Sequence, residues 1–444
     1  MTAALARDFP GAVVDAVQID DVADGTNSRA RVGLSYASGR GPEQVFVKRE
    51  GRVLHRLALT ALRAREAEAR LADSGAELPL EHPAFYAAAV DRRRLAAVTV
   101  MEDVTLRAAR ANEATVALSV EQVRSGLLGL ARLHAAYWGR PLPRSLAFVR
   151  PWRLGAVWAP VSWASLTRAL WLLRSTGHGW LVPSGVDAAV VERGFRGWAR
   201  VAASGPQTLL HGDPHPGNTY ALPGDVTGFY DWQLVRSGNW SHDVGYFLVS
   251  SLAVDDRRAH ERDLLRDYLA ELGRQGAPAP GFADAWALYR RTPVFGLGTW
   301  LHTLSGGGFQ PVEVCLATIE RFASAYADHE RVWARLPGKP QVHPGPSGSG
   351  TRRGTQPAPT GTAQGDRTGQ GDGRGHAGAI PEQDRLPAAA AGTDTDTGAP
   401  DSAGPAHQLT DVHRPPELTH PTEGSRRPSP KPAPEETAEE GRLG

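Results

Sequence analysis

The chain has 444 residues, a formal net charge of +1 and 41% hydrophobic residues. No apolar run is long enough to span a bilayer, and the near-balanced charge gives no overall pull toward nucleic acid or an anionic membrane, so neither partner is expected. The stretch 1–10 lacks a signal-type apolar core and is broken by Arg7 and Asp8, and the single cysteine, Cys315, excludes an intrachain disulfide, so a cytoplasmic location is expected.

Residues 12–19, 30–36 and 43–48 read as three strands, carrying Val13, Val17 and Ile19, then Val32 and Leu34, then Val45 and Val47. Between the first two lies Asp24-Gly25-Thr26-Asn27-Ser28-Arg29. Such a small polar run suits an ordinary hairpin turn, and equally lets backbone N–H groups approach a phosphate. Lys48 ends the third strand. An ammonium on an otherwise apolar strand needs an anion such as a phosphate, unless it simply reaches water beside Arg49 and Glu50. A helix rich in Ala, Leu, Arg and Glu follows over 57–71, and its Glu66 and Glu68 are both candidates to pair with Lys48. Residues 84–90 and 95–101 give two more strands.

Ser119 and Gln122 have the spacing of a capping box, and Val120, Val123, Leu127, Leu130 and Leu133 then recur at helical intervals. His134 on this helix reads as a hydrogen-bonded core residue. All twelve Trp fall between Trp138 and Trp333, and over 150–200 six of them alternate with Arg and Leu, Asp187 and Glu192 being the only carboxylates there. Cys315 lies on an apolar helical stretch and reads as an inert buried thiol.

The chemistry concentrates in Leu210-His211-Gly212-Asp213-Pro214-His215-Pro216-Gly217-Asn218-Thr219 and, one short hairpin later, Phe229-Tyr230-Asp231-Trp232-Gln233. Two Pro and two Gly exclude a helix, so the first motif is a loop after the apolar run 208–210, and 226–230 reads as a strand delivering Asp231. An Asp, an Asn five positions on and a second Asp thirteen beyond that form the spacing of kinase-type phosphoryl-transfer sites. That chemistry needs a carboxylate to accept a proton from an attacking hydroxyl, for which Asp213 is placed, and hard oxygen ligands for Mg2+, which Asn218 and Asp231 offer. Any one of these residues could merely cap a neighbouring helix; the constellation favours a site. Asp243 opens a further helix, and helices over 261–272, 282–289 and 312–335 complete the ordered part.

These residues resemble the aminoglycoside phosphotransferase-like small-molecule kinases, the phosphotransferase enzyme family with its choline kinase relatives. In that family the loop reads His-Gly-Asp-x-His-x-x-Asn and an Asp-Trp or Asp-Phe pair comes after it, as 211–218 and Asp231-Trp232 do here. The resemblance runs from about residue 10 to about residue 335 and implies an α+β, two-lobed protein-kinase-like fold. It implies a nucleotide-binding lobe over 10–103, with a small antiparallel sheet and one helix, and a mainly helical catalytic and acceptor-binding lobe over 104–337. ATP and Mg2+ would be the cofactors and a hydroxylated small molecule the acceptor. The resemblance places Gly25, Thr26, Asn27 and Ser28 over the nucleotide phosphates, makes Lys48 the phosphate-binding lysine and prefers Glu68 as its partner. It sets Met101 and Asp103 at the hinge, where main chain meets adenine and Asp103 caps the next segment. Asp213 would be the base, Asn218 and Asp231 the metal ligands, and His211, His215, His134 and Asp243 their supports, with Leu133-His134-Ala135 matching a family signature. Inserted helices over 150–200 would form the acceptor pocket, and their basic, aromatic character speaks against a polycationic aminoglycoside and for a neutral, aromatic or anionic alcohol.

From 338 to 444 the chain is rich in Pro, Gly, Ala and Thr and has no Phe, Trp or Tyr. It cannot bury enough apolar surface to offset its conformational entropy and is expected to be disordered. Its Arg414-Pro415-Pro416 and 426–432 pieces could dock polyproline-reading grooves. The competing function is therefore a catalytically idle, nucleotide-binding protein whose tail is an interaction module for an unidentified partner.

Overall fold

The structure, a computed structural model, describes residues 1–24, 27–50, 66–91, 93–94, 96–152 and 158–329. After the short helix α1 (Thr2–Leu5), strands β1 (Val13–Asp24), β2 (Asn27–Ser38), β3 (Gln44–Glu50), β4 (Phe85–Asp91) and β5 (Ala96–Glu102) make an antiparallel sheet in the order β1-β2-β3-β5-β4. Val32, Leu34, Val45 and Val100 alternate onto one face and bury against Leu5. The strands are longer than their apolar cores predicted. Asp24 pairs with Ser28 and Ala23 with Arg29, so the polar run is mostly strand rather than turn. Gly25 and Thr26, the residues between, lie outside the described residues, as does most of the helix predicted over 57–71. Its described end is α2 (Ala67–Asp73), which packs beneath β4 and β5.

The remaining described chain is mainly helical. Helix α3 (Val120–Tyr137) starts at the expected capping box, with Gln122 N donating to Ser119 Oγ (3.1 Å) and Ser119 N to Gln122 Oε1 (3.0 Å). Leu127, Leu130 and Leu133 seat its apolar stripe in the large core. Around it lie α4 (Trp158–Ser175), α5 (Ala188–Ala202), α6 (Ser241–Ser251), α7 (Val254–Arg274), α8 (Phe282–Tyr289), α9 (Pro293–Gly306) and α10 (Val312–His329). Cys315 on α10 is buried, and burial pushes its thiol up to about 11, as suits an inert side chain. The tail over 338–444 lies outside the described residues.

Helix α9 has no counterpart in the sequence reading. Its Gly296, Gly298 and Gly306 each weaken helix propensity by about 1 kcal/mol relative to Ala. Tertiary packing overrides that cost. A Cβ at Gly296 would stand 2.0 Å from the fully buried Phe322 ring, so the missing side chain is what lets α9 close on α10.

Two small sheets frame the centre. Strands β6 (Arg110–Ala111), β9 (Thr219–Leu222) and β10 (Val226–Phe229) form one, ordered β10-β9-β6; β7 (Arg150–Pro151), β8 (Gln207–Leu210) and β11 (Arg236–Asn239) form the other, ordered β7-β11-β8. Strand β8 leads into the 211–218 loop, and the β9–β10 hairpin leads out of it to Asp231. Since Thr219 pairs with Phe229 and Tyr230 N donates to Asn218 O (3.1 Å), this register sets Asn218 beside the strand end that carries Asp231.

Candidate active site

Three segments distant in sequence converge on Asp231. Lys48 Nζ, from β3, lies 2.7 Å from Asp231 Oδ1 and 2.7 Å from Glu68 Oε2 of α2. Glu68 Oε1 in turn accepts from the backbone N–H of Trp232 at 3.0 Å, so the helix carboxylate ties the lysine to the residue after Asp231. Glu66 instead stands at the start of α2 with its carboxylate 3.4 Å from Arg70. Lys48, Glu68 and Asp231 are all buried. One ammonium therefore serves two carboxylates in a low-dielectric centre, and their protonation is coupled. Burial penalises both, but Lys48 more than offsets it at Asp231, which is held below the usual carboxylate range. At Glu68 burial wins and the group is raised. Lys48 loses stability as a cation by burial, yet the two carboxylates hold its pKa above the ordinary value.

Asp231 sits in the left-handed region, φ 65° and ψ 65°. That conformation is uncommon for a residue with a side chain, and it occurs where the surrounding structure fixes a functional group. Arg29 of β2, paired with Lys48 of β3, brings its guanidinium to 3.8 Å from Asp231 Oδ2. Ser28 pairs with Arg49 and Asn27 with Glu50, so the start of β2 runs beside the Lys48 end of β3. Met101 is buried within β5 between β3 and β4. Asp103, just past the strand, caps the adjoining 3-10 turn by accepting from Thr105 N (3.0 Å) and Thr105 Oγ1 (2.7 Å), and accepts from Arg31 Nε (3.0 Å).

Asp213 occupies the next turn of the loop. Asn218 Nδ2 donates to Asp213 O (2.9 Å) and to Asp213 Oδ2 (3.2 Å), and the Tyr246 hydroxyl of α6 donates to the same carboxylate. Burial first, then the charge of Asp231, push Asp213 up to about 7; Tyr246, Arg236 and Asn218 oppose the rise without cancelling it. A carboxylate poised near neutrality is suited to exchanging a proton.

Asp243 holds the backbone beneath Asp213. Its Oδ2 accepts from His211 N (2.7 Å) and its Oδ1 from Gly212 N (3.0 Å). His134 Nε2 approaches Oδ2 at 3.4 Å while His134 Nδ1 meets the Tyr268 hydroxyl at 2.8 Å, and His242 Nε2 donates to Gly212 O at 3.1 Å. Gly212 has φ +88°, and a Cβ there would lie 2.0 Å from Leu234 O, so the chain can turn here only without a side chain. His211 Nδ1 accepts from Asp213 N (3.3 Å), so its Nε2 carries the proton and donates to Tyr230 O (3.1 Å). Burial keeps this ring neutral. His215 Nδ1 accepts from Gly217 N (3.1 Å), its ring meets Trp300 edge-on, and burial lowers it to about 4, so it lies 3.9 Å from Asp213 as a neutral group.

Among the described residues no three His, Cys, Asp or Glu side chains are arranged to hold a metal ion by themselves. The donor types at Asn218 and Asp231 nevertheless suit Mg2+: the Asn218 amide nitrogen faces Asp213, its oxygen takes no hydrogen bond among the described residues, and Asp231 is an ionised carboxylate. Magnesium commonly takes one or two such oxygens and completes its shell with water and substrate phosphate.

Arg29, Arg236, Tyr246 and Trp300 were not anticipated from sequence. Arg236 on β11 donates from Nε to Leu234 O (3.0 Å) and lies over the Trp152 ring, near Asp213. Tyr246 is three residues after Asp243 on one helix, a spacing that was the available signal. Trp300 is on the unforeseen α9.

The sequence profile of the phosphotransferase enzyme family matches residues 33–286. No curated protein matches the chain. Among solved structures, a type VIII aminoglycoside-3'-phosphotransferase is 22% identical, with 66% of this chain and 97% of that chain covered and a TM-score of 0.35. The choline kinase LicA of Streptococcus pneumoniae is 12% identical over 73% and 95% of the two chains, TM-score 0.39. An ethanolamine kinase of Plasmodium vivax is 12% identical over 72% and 84%, TM-score 0.44. The profile match takes in Lys48, Glu68, the 211–218 loop, Asp231 and Asp243 and spans more than half of the 444 residues, so the chain belongs to the phosphotransferase enzyme family.

Proposed function

We propose that the protein is an ATP- and Mg2+-dependent kinase that moves the γ-phosphoryl group to a hydroxyl of a small molecule. The observation that carries this reading is the bridge from Lys48 to Glu68 and Asp231, 2.7 Å on each side, next to Asp213 with its raised pKa. In this reading residues 10–103 hold the nucleotide and residues 104–337 the acceptor and the catalytic loop. Glu68 fixes Lys48, whose ammonium turns to the phosphates. Asn218 and Asp231 would hold Mg2+, which when bound neutralises charge on the transferring phosphoryl group. Asp213 orients the acceptor hydroxyl and takes its proton as the new O–P bond forms and the bond to the ADP oxygen breaks.

The carboxylates of the acceptor region bear on the kind of alcohol. Asp187 caps α5 by accepting from Val190 N (2.8 Å), and Glu192 is buried, bonded to Ser162 and 3.5 Å from Arg196. Both are committed to structure. A polycationic acceptor would lack counter-charges there, which supports a neutral, aromatic or anionic alcohol.

Calorimetry with Mg-ATP should give a saturable isotherm, and Lys48→Ala should weaken it at least about tenfold, as loss of a charge-assisted hydrogen bond does. A native chain that binds no Mg-ATP would overturn the nucleotide assignment. The pH profile has a definite sign. Asp213 accepts a proton only when ionised, so kcat/KM should climb through about 7 and level off above it. A flat profile across that range would remove Asp213 as the base.

A further inference from the structure

The balanced overall charge conceals a local asymmetry. Between Glu121 and Asp187 the sequence has no Asp or Glu, and its basic residues there, apart from His, are all Arg. Helix α4 lies inside this stretch. Its inner arc, Leu166, Ala169, Leu170 and Leu173, is buried. The outer arc bears Trp163, Thr167, Trp171 and Arg174, at helical spacing, with Arg168 and Val161 beside them, all exposed. Trp163 is 55% exposed, Trp171 63%, and Trp180 in the next 3-10 turn 68%. None of these three indoles has an aromatic or cation–π partner among the described residues, whereas Trp152 and Trp198 of the same Trp-rich stretch are buried in the core.

Large aromatic side chains clustered in water mark an interaction surface. The chemistry around them selects its partner: Arg168 and Arg174, which form no ion pair among the described residues, ask for anions, and indoles favour the boundary between polar and apolar media, where one edge is wet and the ring is not. A phospholipid headgroup layer offers both at once. Single-stranded nucleic acid also combines aromatic stacking with Arg contacts. Here, however, the face is the convex side of a helix rather than a groove, and Val161 adds an aliphatic side chain on which no base stacks.

We propose that the Trp- and Arg-bearing face of α4, with Trp180, docks the protein on an anionic phospholipid surface, the indoles seated among the headgroups and Arg168 and Arg174 on lipid phosphates. The inner side of the same helix is tied to α9, where His302 Nε2 meets Ser162 Oγ at 3.1 Å and His302 Nδ1 meets Ser165 Oγ at 3.0 Å. Two residues earlier on α9, Trp300 abuts His215 of the 211–218 loop. A bilayer on α4 would therefore lie one helix layer from the candidate active site.

Co-sedimentation of the full chain with phosphatidylcholine vesicles, with and without phosphatidylglycerol, tests this independently of any kinase activity. The native protein should pellet with the anionic vesicles alone and be released at high salt, and Trp163→Ser with Trp171→Ser should bind roughly tenfold more weakly with an unchanged far-UV spectrum. Quenching of the native protein's tryptophan fluorescence by lipids brominated on the acyl chain gives a second reading that needs no variant. Native protein left in the supernatant with anionic vesicles, a double variant that binds as well as the native chain, or a single-stranded oligonucleotide bound in place of vesicles would each overturn the proposal.

Discussion

Asp213→Asn should lower phosphoryl transfer at least about a hundredfold and leave the protein no less stable at about pH 8. The loss arises because an amide cannot take the hydroxyl proton, while the substitution preserves shape and keeps an oxygen for the Asn218 amide. The stability is a matter of linkage. The folded pKa of Asp213 lies at about 7, above its ordinary value of 3.8, so its contribution to stability is fully present below that ordinary value and is lost as the pH rises through about 7. At pH 8 the native chain carries a half-buried charge that the variant lacks. Labelled γ-phosphate transfer from Mg-ATP to a panel of neutral, aromatic and anionic alcohols, run beside thermal unfolding, measures both halves. A variant that retained more than about one per cent of the native rate would assign proton transfer elsewhere. A variant markedly less stable at that pH would mean that Asp213 is a structural anion rather than a poised base.

How legible each part of the site was depends on where its constraints lie. The 211–218 loop could be read directly, because Pro, Gly and Asn restrict the local backbone and the carboxylates recur at fixed spacing. Lys48 and Asp231 are 183 positions apart, and nothing in local pattern joins them; only the resemblance to a family did. Glu66 and Glu68 are equivalent in composition and propensity. They separate in space, where Glu68 is buried against Lys48 and Trp232 while Glu66 stands at the helix start with Arg70. Helix α9 was hidden because its glycines are unfavourable locally and favourable only against Phe322 and Phe195, contacts made across the fold. The tryptophans show the same limit: alternation with Arg and Leu could not tell buried Trp198 from exposed Trp171. Arg29 and Arg236 look like ordinary strand arginines until the register of β2 and β11 brings them to Asp231 and the loop.

The second large effect is expected at Asp243, where the site is held rather than where it reacts. Asp243→Ala should cost about 3–5 kcal/mol of stability, the range for removing one partner from a buried charged network, and should abolish activity as well. The carboxylate is fully buried and satisfies the backbone N–H groups of His211 and Gly212. Without it both donors are stranded in a dry interior immediately before Asp213, and water cannot readily replace a clamp whose neighbour His134 also loses its anionic partner. The pH dependence separates this role from simple cavity formation. Burial alone would raise Asp243, but its contacts with His134, and the nearby His242 and His211, hold it below the usual carboxylate range. Its contribution is therefore present above the ordinary carboxylate pKa and fades as the pH falls through the lower folded value. Urea unfolding should show a wide gap between native and variant at about pH 7 that narrows in acid below about pH 4. Asp243→Asn, which keeps the volume but turns an amide nitrogen toward one of the two donors, should fall between them. If Asp243→Ala unfolded with the native midpoint at neutral pH, the loop would have to be held by its own Pro and Gly geometry, and Asp243 would be a spectator.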